Sequence, residues 1–147
     1  MKALFLSLPL HGHINPSLPL VRELVGRGEQ IVCYSADAFA ADIEQAGARY
    51  RPYRHACLSE LNQLPTRTDE LSWMLMRTSA SVLETELEAF RAERPGYIIT
   101  DSVAPWGQWA GEILGVPPRT RRQWLYLALT IAFLAWILPL MVSLRSR

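Results

Sequence analysis

The sequence predicts an α/β fold, a parallel sheet with helices on both faces. Two observations carry that prediction. Short apolar runs without helical period alternate with segments whose apolar residues recur at three and four, in a repeated strand–helix order. Two polar clusters, His11/His13 and Asp101/Ser102, fall just after apolar runs, where parallel sheets carry their working groups. A chain of 147 residues has room for one domain with a real core.

The elements follow in order. Lys2 to Leu10 is an apolar run without helical period, read as a buried strand, and the His/Gly/Asn/Pro cluster after it as a loop. The one lysine and short apolar stretch at the N-terminus resemble a weak signal peptide. No small-residue cleavage site follows, which favours the strand. In that loop Gly12 gives the backbone room to turn, and Pro16 opens a helix, because a missing N–H costs nothing in the first turn. Leu18, Leu20, Val21, Leu24 and Val25 form its apolar stripe, and Gly26 and Gly28 close it. Gln30 to Ser35 is a second strand. Asp37 is expected to N-cap a short helix ending at Gly47. "ARYRPY" is a third strand, residues 54–66 a loop, and Thr68 to Arg94 a long helix stopped by Pro95 and Gly96. "YIITD" is the fourth strand and Pro105 to Gly115 the fourth helix.

The tail has another character. Half of the residues are hydrophobic, and the excess lies towards the C-terminus, where residues 123–144 carry no charge. About twenty apolar residues suffice to span a bilayer, and Trp124 and Tyr126 stand where interfacial anchors stand. The expectation is a transmembrane helix over 123–144; the alternative is a fifth strand with a core helix. Arg119, Arg121 and Arg122 before the span, against Arg145 and Arg147 after it, place the N-terminal domain in the cytoplasm.

A net charge of +1, with no basic stripe carrying interleaved aromatics, excludes nucleic acid as the expected partner. Cys33 and Cys57 form no CxxC, and a reduced compartment suits them. No GxGxxG or GxxxxGK[ST] follows the first strand.

His11 and His13 admit three readings. As a metal pair they need further ligands; His55 lies in an unpatterned loop and no Cys/His spacing supports it, so no metal is expected. As structural residues they belong to a turn. As a general base, a histidine suits chemistry near neutral pH because the unperturbed imidazole lies close to it, and it improves when a carboxylate holds its other nitrogen. Asp101, at another strand end, can supply that carboxylate if the sheet brings it beside His13; it reads equally as a turn residue or helix N-cap.

The stretch "GHINPSLPLVRELVGRGEQIVCYSADAFAADIEQAGARYRPY" resembles the N-terminal domain of the GT-B glycosyltransferases, macrolide-type, within the UDP-glycosyltransferase superfamily. "ITDSVAPWGQWAGEILGVP" is similar to a later segment of the same domain. The resemblance implies a Rossmann-like fold over 1–117, the N-terminal half of a GT-B architecture, with 118–147 as a basic-flanked tail. It implies that His13 deprotonates the acceptor hydroxyl and Asp101 pairs with it. The reaction is then an inverting transfer from a nucleotide sugar, a UDP- or TDP-sugar, with no metal or other cofactor. Gly12, Asn15, Trp73 and Trp106 are the expected substrate contacts, with Met74 and Trp109 as further candidates; the aromatic ones also read as core. The implied acceptor is a hydrophobic small molecule. The family's donor-binding domain has no counterpart here. A truncated gene product is expected, with a membrane-anchored half-enzyme completed by a separate donor-domain chain as the other explanation. The alternative function is a non-catalytic, membrane-tethered ligand-binding module or an inactive remnant.

Overall fold

A computed structural model describes residues 1–54, 67–101 and 103–116. The loop over 55–66 with His55 and Cys57, Ser102, and the expected span at 123–144 lie outside the described residues. Among the described residues, no helix is long and apolar enough to cross a membrane.

Strand β1 (Lys2–Leu6) leads to helix α1 (His11–Gly26), then β2 (Gln30–Ser35). A 3-10 turn (Asp37–Phe39) and α2 (Ala40–Gln45) lead to β3 (Arg49–Pro52). Helix α3 (Thr68–Ala92), β4 (Tyr97–Thr100) and α4 (Pro105–Leu114) complete the order. All strand pairings are parallel, and the sheet order is β3-β2-β1-β4. The chain builds outward from β1 through β2 to β3, then crosses back to place β4 on the other side of β1. That reversal makes a topological switch point between β1 and β4, the position at which open parallel sheets bind ligands.

Successive strand residues face opposite sides, so each strand feeds two cores. Ala3, Phe5, Ile31 and Cys33 pack with Ile14, Leu18, Val21 and Leu24 of α1 and Ile43 of α2. Leu4, Leu6, Val32 and Tyr34 pack on the other face with Val82 and Phe90 of α3 and Trp106 and Ala110 of α4. Strands buried on both faces explain why the runs looked continuously apolar rather than alternating.

Two boundaries and one cap differ from the sequence reading by more than a residue or two. The first strand ends at Leu6, not Leu10. The helix after it starts at His11, five residues before Pro16, with Pro16 and Pro19 inside it. Leu10 is extended, and its carbonyl accepts the N–H groups of both His13 and Ile14 at 2.9 Å, so the first turn closes ahead of Pro16. The carbonyls that the two prolines leave without a helical donor belong to Gly12 and Asn15, both exposed to solvent. Gly12 is therefore a first-turn helical residue, not the pivot of a loop. Gly28, at φ 81°, takes the left-handed conformation that ends the helix. The third correction is Asp37. It caps no helix, and its carboxylate instead accepts the Tyr50 hydroxyl at 2.6 Å, tying β3 to the end of β2.

Candidate active site

The switch point between β1 and β4 holds the pair that the sequence could only suggest. His13 sits in the first turn of α1, and the turn fixes its backbone because Ile14 beside it is buried under the sheet. Asp101 is the first residue beyond β4, and its N–H extends the ladder by donating to Leu6 O at 3.1 Å. Leu6 and Thr100 are register partners, so the two loops leave the sheet side by side. His13 Nδ1 and Asp101 Oδ2 lie 2.6 Å apart, with the side chains 32% and 13% exposed. A neutral imidazole whose Nδ1 donates to a carboxylate keeps Nε2 as an acceptor. That is the tautomer a base requires.

Asp101 is itself held. Its Oδ1 accepts the Val103 N–H at 3.2 Å, and its backbone carbonyl accepts the Ala104 N–H at 3.1 Å. Thr100 Oγ1 reaches Ala104 O at 2.9 Å, closing the turn into α4. The carboxylate therefore serves the turn and the histidine together.

Two further groups were not foreseen. Ser7, 1% exposed, places Oγ 3.4 Å from Asp101 Oδ2. Tyr53 donates its hydroxyl to Ser7 O at 3.4 Å and accepts the Trp106 Nε1–H at 3.1 Å. Burial pushes the Tyr53 phenol up, against the lowering effect of its hydrogen bonds, so it stays a neutral donor and acceptor. The signal for Ser7 was a lone serine within "FLSLPL", a polar side chain in an apolar run.

The remaining expected contacts are scattered. Trp106 is a correction: it is fully buried in the α3/α4-side core, and its indole is spoken for by Tyr53, so it presents no surface to a ligand. Trp73 is 68% exposed near the start of α3, with Met74 partly buried behind it. Gly12 and Asn15 are exposed on α1, and Trp109 is half-buried on α4. His11 stacks edge-on against Phe39 with centroids 4.8 Å apart. Among the described residues, no three His, Cys, Asp or Glu side chains gather to hold a metal ion.

A cavity of about 370 Å³ lies along the β3–α3 edge, lined by Tyr34, Arg51, Arg54 and Glu93 among others. It includes neither His13 nor Asp101. Its Glu93 carboxylate is taken by Lys2, by Arg51 at 3.3 Å and by Arg49 at 3.9 Å. The cavity and the His13–Asp101 pair are at different places.

No family model matches the chain. The NDP-glycosyltransferase YjiC of Bacillus subtilis (strain 168) is 30% identical over 116 residues, which take in 76% of this chain and 29% of that protein. The oleandomycin glycosyltransferase of Streptomyces antibioticus is 42% identical over 43 residues, 29% of this chain and 10% of that protein. Among solved structures, a glycosyltransferase of kitacinnamycin superposes with a TM-score of 0.67 at 27% identity, covering 80% of this chain and 29% of that one. The calicheamicin glycosyltransferase superposes with a TM-score of 0.66 at 25% identity, covering 80% and 31%. The chain thus spans about three-tenths of the length of the relatives it matches along most of its own. On sequence and fold together, the chain belongs to the macrolide-type GT-B glycosyltransferases and corresponds to their N-terminal domain.

Proposed function

We propose that this chain is the acceptor-binding half of an inverting glycosyltransferase. It presents a hydroxyl of a hydrophobic small molecule to a nucleoside-diphosphate sugar held by a donor-binding domain, and His13 is the general base. The single observation that carries this reading is the 2.6 Å His13–Asp101 pair at the β1/β4 switch point. Relatives named for NDP-sugars, oleandomycin and calicheamicin support the donor and acceptor classes.

The chemistry follows from the pair. His13 Nε2 takes the acceptor's hydroxyl proton as that oxygen attacks the anomeric carbon. The bond from that carbon to the diphosphate oxygen breaks, and the nucleoside diphosphate leaves with the electron pair. One displacement inverts the anomeric centre. Asp101 orients the ring and offsets the charge of the imidazolium as it forms. Trp73 and Met76, 68% and 48% exposed in the first half of α3, offer an apolar surface for the acceptor. Connectivity puts that half of α3 on the carboxyl side of the strands.

The test mixes the chain with a donor-binding domain and follows nucleoside diphosphate release with a phenolic acceptor. His13→Ala is expected to slow transfer by about 10²–10⁴-fold, the usual contribution of a positioned base. Asp101→Asn is expected to slow it by at least about tenfold through the wrong tautomer. A His13→Ala rate equal to the parent's would sink the assignment of the base. Absence of transfer with every donor domain, alongside retained acceptor binding, would return the chain to a ligand-binding module.

A further inference from the structure

Ser7 follows the last residue of β1 and is 1% exposed. Its Oγ lies 3.4 Å from Asp101 Oδ2 and 3.2 Å from Leu8 O. A hydroxyl has one proton to give, and the two acceptors compete for it. The carboxylate is the charged one, and hydrogen bonds to ionised acceptors are about twice as strong as neutral ones.

The same Oδ2 receives His13 Nδ1, while Oδ1 is held by the Val103 N–H. The carboxylate is thus fixed from the end of β1 on one side and from the β4–α4 turn on the other. Ser7 is also clamped. Its carbonyl accepts the Tyr53 hydroxyl, which in turn accepts the Trp106 indole N–H, so the residue just after β3 and α4 both fix where the serine stands.

The geometry points to Ser7 as a positioning residue: its hydroxyl orients the Asp101 carboxylate and thereby holds His13 in the Nδ1–H tautomer, with Nε2 ready to accept. This rests on the reading of His13 and Asp101 as base and partner. Ser7 touches no reacting atom and acts through Asp101 alone.

The test is long-range ¹H–¹⁵N NMR of the full 147-residue chain at a pH where imidazole is neutral. The His13 signal is assigned by its loss in His13→Asn. The parent is expected to show His13 mainly as Nδ1–H. Ser7→Ala is expected to shift the tautomer ratio towards Nε2–H by about threefold to tenfold, the factor a long hydrogen bond to a charged group carries. Ser7→Cys, close in size and a weaker donor, is expected to shift it the same way by less, and decides the matter if Ser7→Ala does not fold. Ser35→Ala is the control for deleting a buried hydroxyl. Ser35 is 0% exposed, and its Oγ has no hydrogen-bond partner among the described residues. It should leave the ratio unchanged.

A parent in which Nε2–H dominates would overturn the His13–Asp101 pairing, and the proposed function with it. A parent in the Nδ1–H form whose ratio does not move in either Ser7 variant overturns the Ser7 role alone. That result would mean the hydroxyl serves Leu8 O. An equal shift in Ser35→Ala would also overturn it, as general loosening of the sheet.

Discussion

Gly107 makes the contact between α4 and the sheet possible, and adding one methyl there has a calculable effect. A Cβ built at Gly107 would stand 2.2 Å from Thr100 Oγ1, 2.6 Å from Thr100 Cβ and 3.4 Å from Leu6 Cβ. Turning the threonine rotamer removes only the first clash. It also breaks the 2.9 Å bond to Ala104 O, at a cost of about 1 kcal/mol. The Cβ–Cβ clash remains, so α4 must back away from β4, and overpacking of this kind costs about 1–3 kcal/mol. Against this, Ala gains about 1 kcal/mol over Gly in a helix. Gly107→Ala is therefore expected to destabilise by about 2 kcal/mol, which at about 4 °C per kcal/mol lowers Tm by about 8 °C. Thr100→Gly removes both clashing atoms. In that background Gly107→Ala should be neutral or stabilising, giving a coupling of about 2 kcal/mol in a double-mutant cycle read by urea unfolding. A Gly107→Ala protein as stable as the parent, or costs that add without coupling, would refute the claim that the helix sits directly on Thr100. Because Asp101 follows Thr100, the same shift should weaken the His13–Asp101 pair.

Two other outcomes are expected. Burial pushes the Cys33 thiol from 9.0 to about 12 and, with the nearby Glu93 and Glu86 charges adding, the Tyr34 phenol from 10.0 to about 12. The folded state then holds protons that the unfolded state releases, so stability is full below pH 9 and falls as pH rises towards 12. Cys33→Val should flatten the first part of that decline by about 1.4 kcal/mol per pH unit; denaturation at a series of alkaline pH values that shows equal slopes contradicts it. Burial works to raise the Glu93 carboxyl, but Lys2 and Arg51 outweigh it and hold it below the ordinary carboxylate range. Its contribution is fully present above that range and is lost as pH falls from it through the lowered folded-state value. Glu93→Gln should cost about 1–2 kcal/mol at neutral pH, the cationic partners being partly exposed, and almost nothing in acid; a pH-independent cost measured by urea unfolding would count against the ion cluster.

Most of the secondary structure was legible because its signals were local. Gln30 to Ser35 is β-branched and apolar, and the strand has those bounds. The three-and-four recurrence from Leu71 to Phe90 marked α3. The start of α1 was misread because proline is a strong local signal. What overrode it was tertiary: Ile14 and Leu18 are buried beneath the sheet, while Gly12 and Asn15, whose carbonyls lose their helical donors, are exposed residues. Asp37 had the composition of a cap, yet Tyr50, thirteen residues on, claims its carboxylate. The histidine and aspartate of the site were visible as residues after strands. Their adjacency was not, since alternation of strands and helices says nothing of sheet order. Ser7 and Tyr53 went unnoticed because a network built from a backbone carbonyl and two hydroxyls leaves no spacing motif.

The early start of α1 has a consequence for how this site tolerates change. His13 is one residue from Ile14 on a helix whose inner face is locked by Leu18, Val21 and Leu24. The imidazole therefore inherits its coordinates from the hydrophobic core and moves only as that helix moves. The apolar surface at Trp73 and Met76 belongs to a different helix on the opposite face of the sheet. Under the proposed function, alignment for proton transfer and choice of acceptor are written on separate mechanical parts, and a change in the second is expected to leave the first undisturbed.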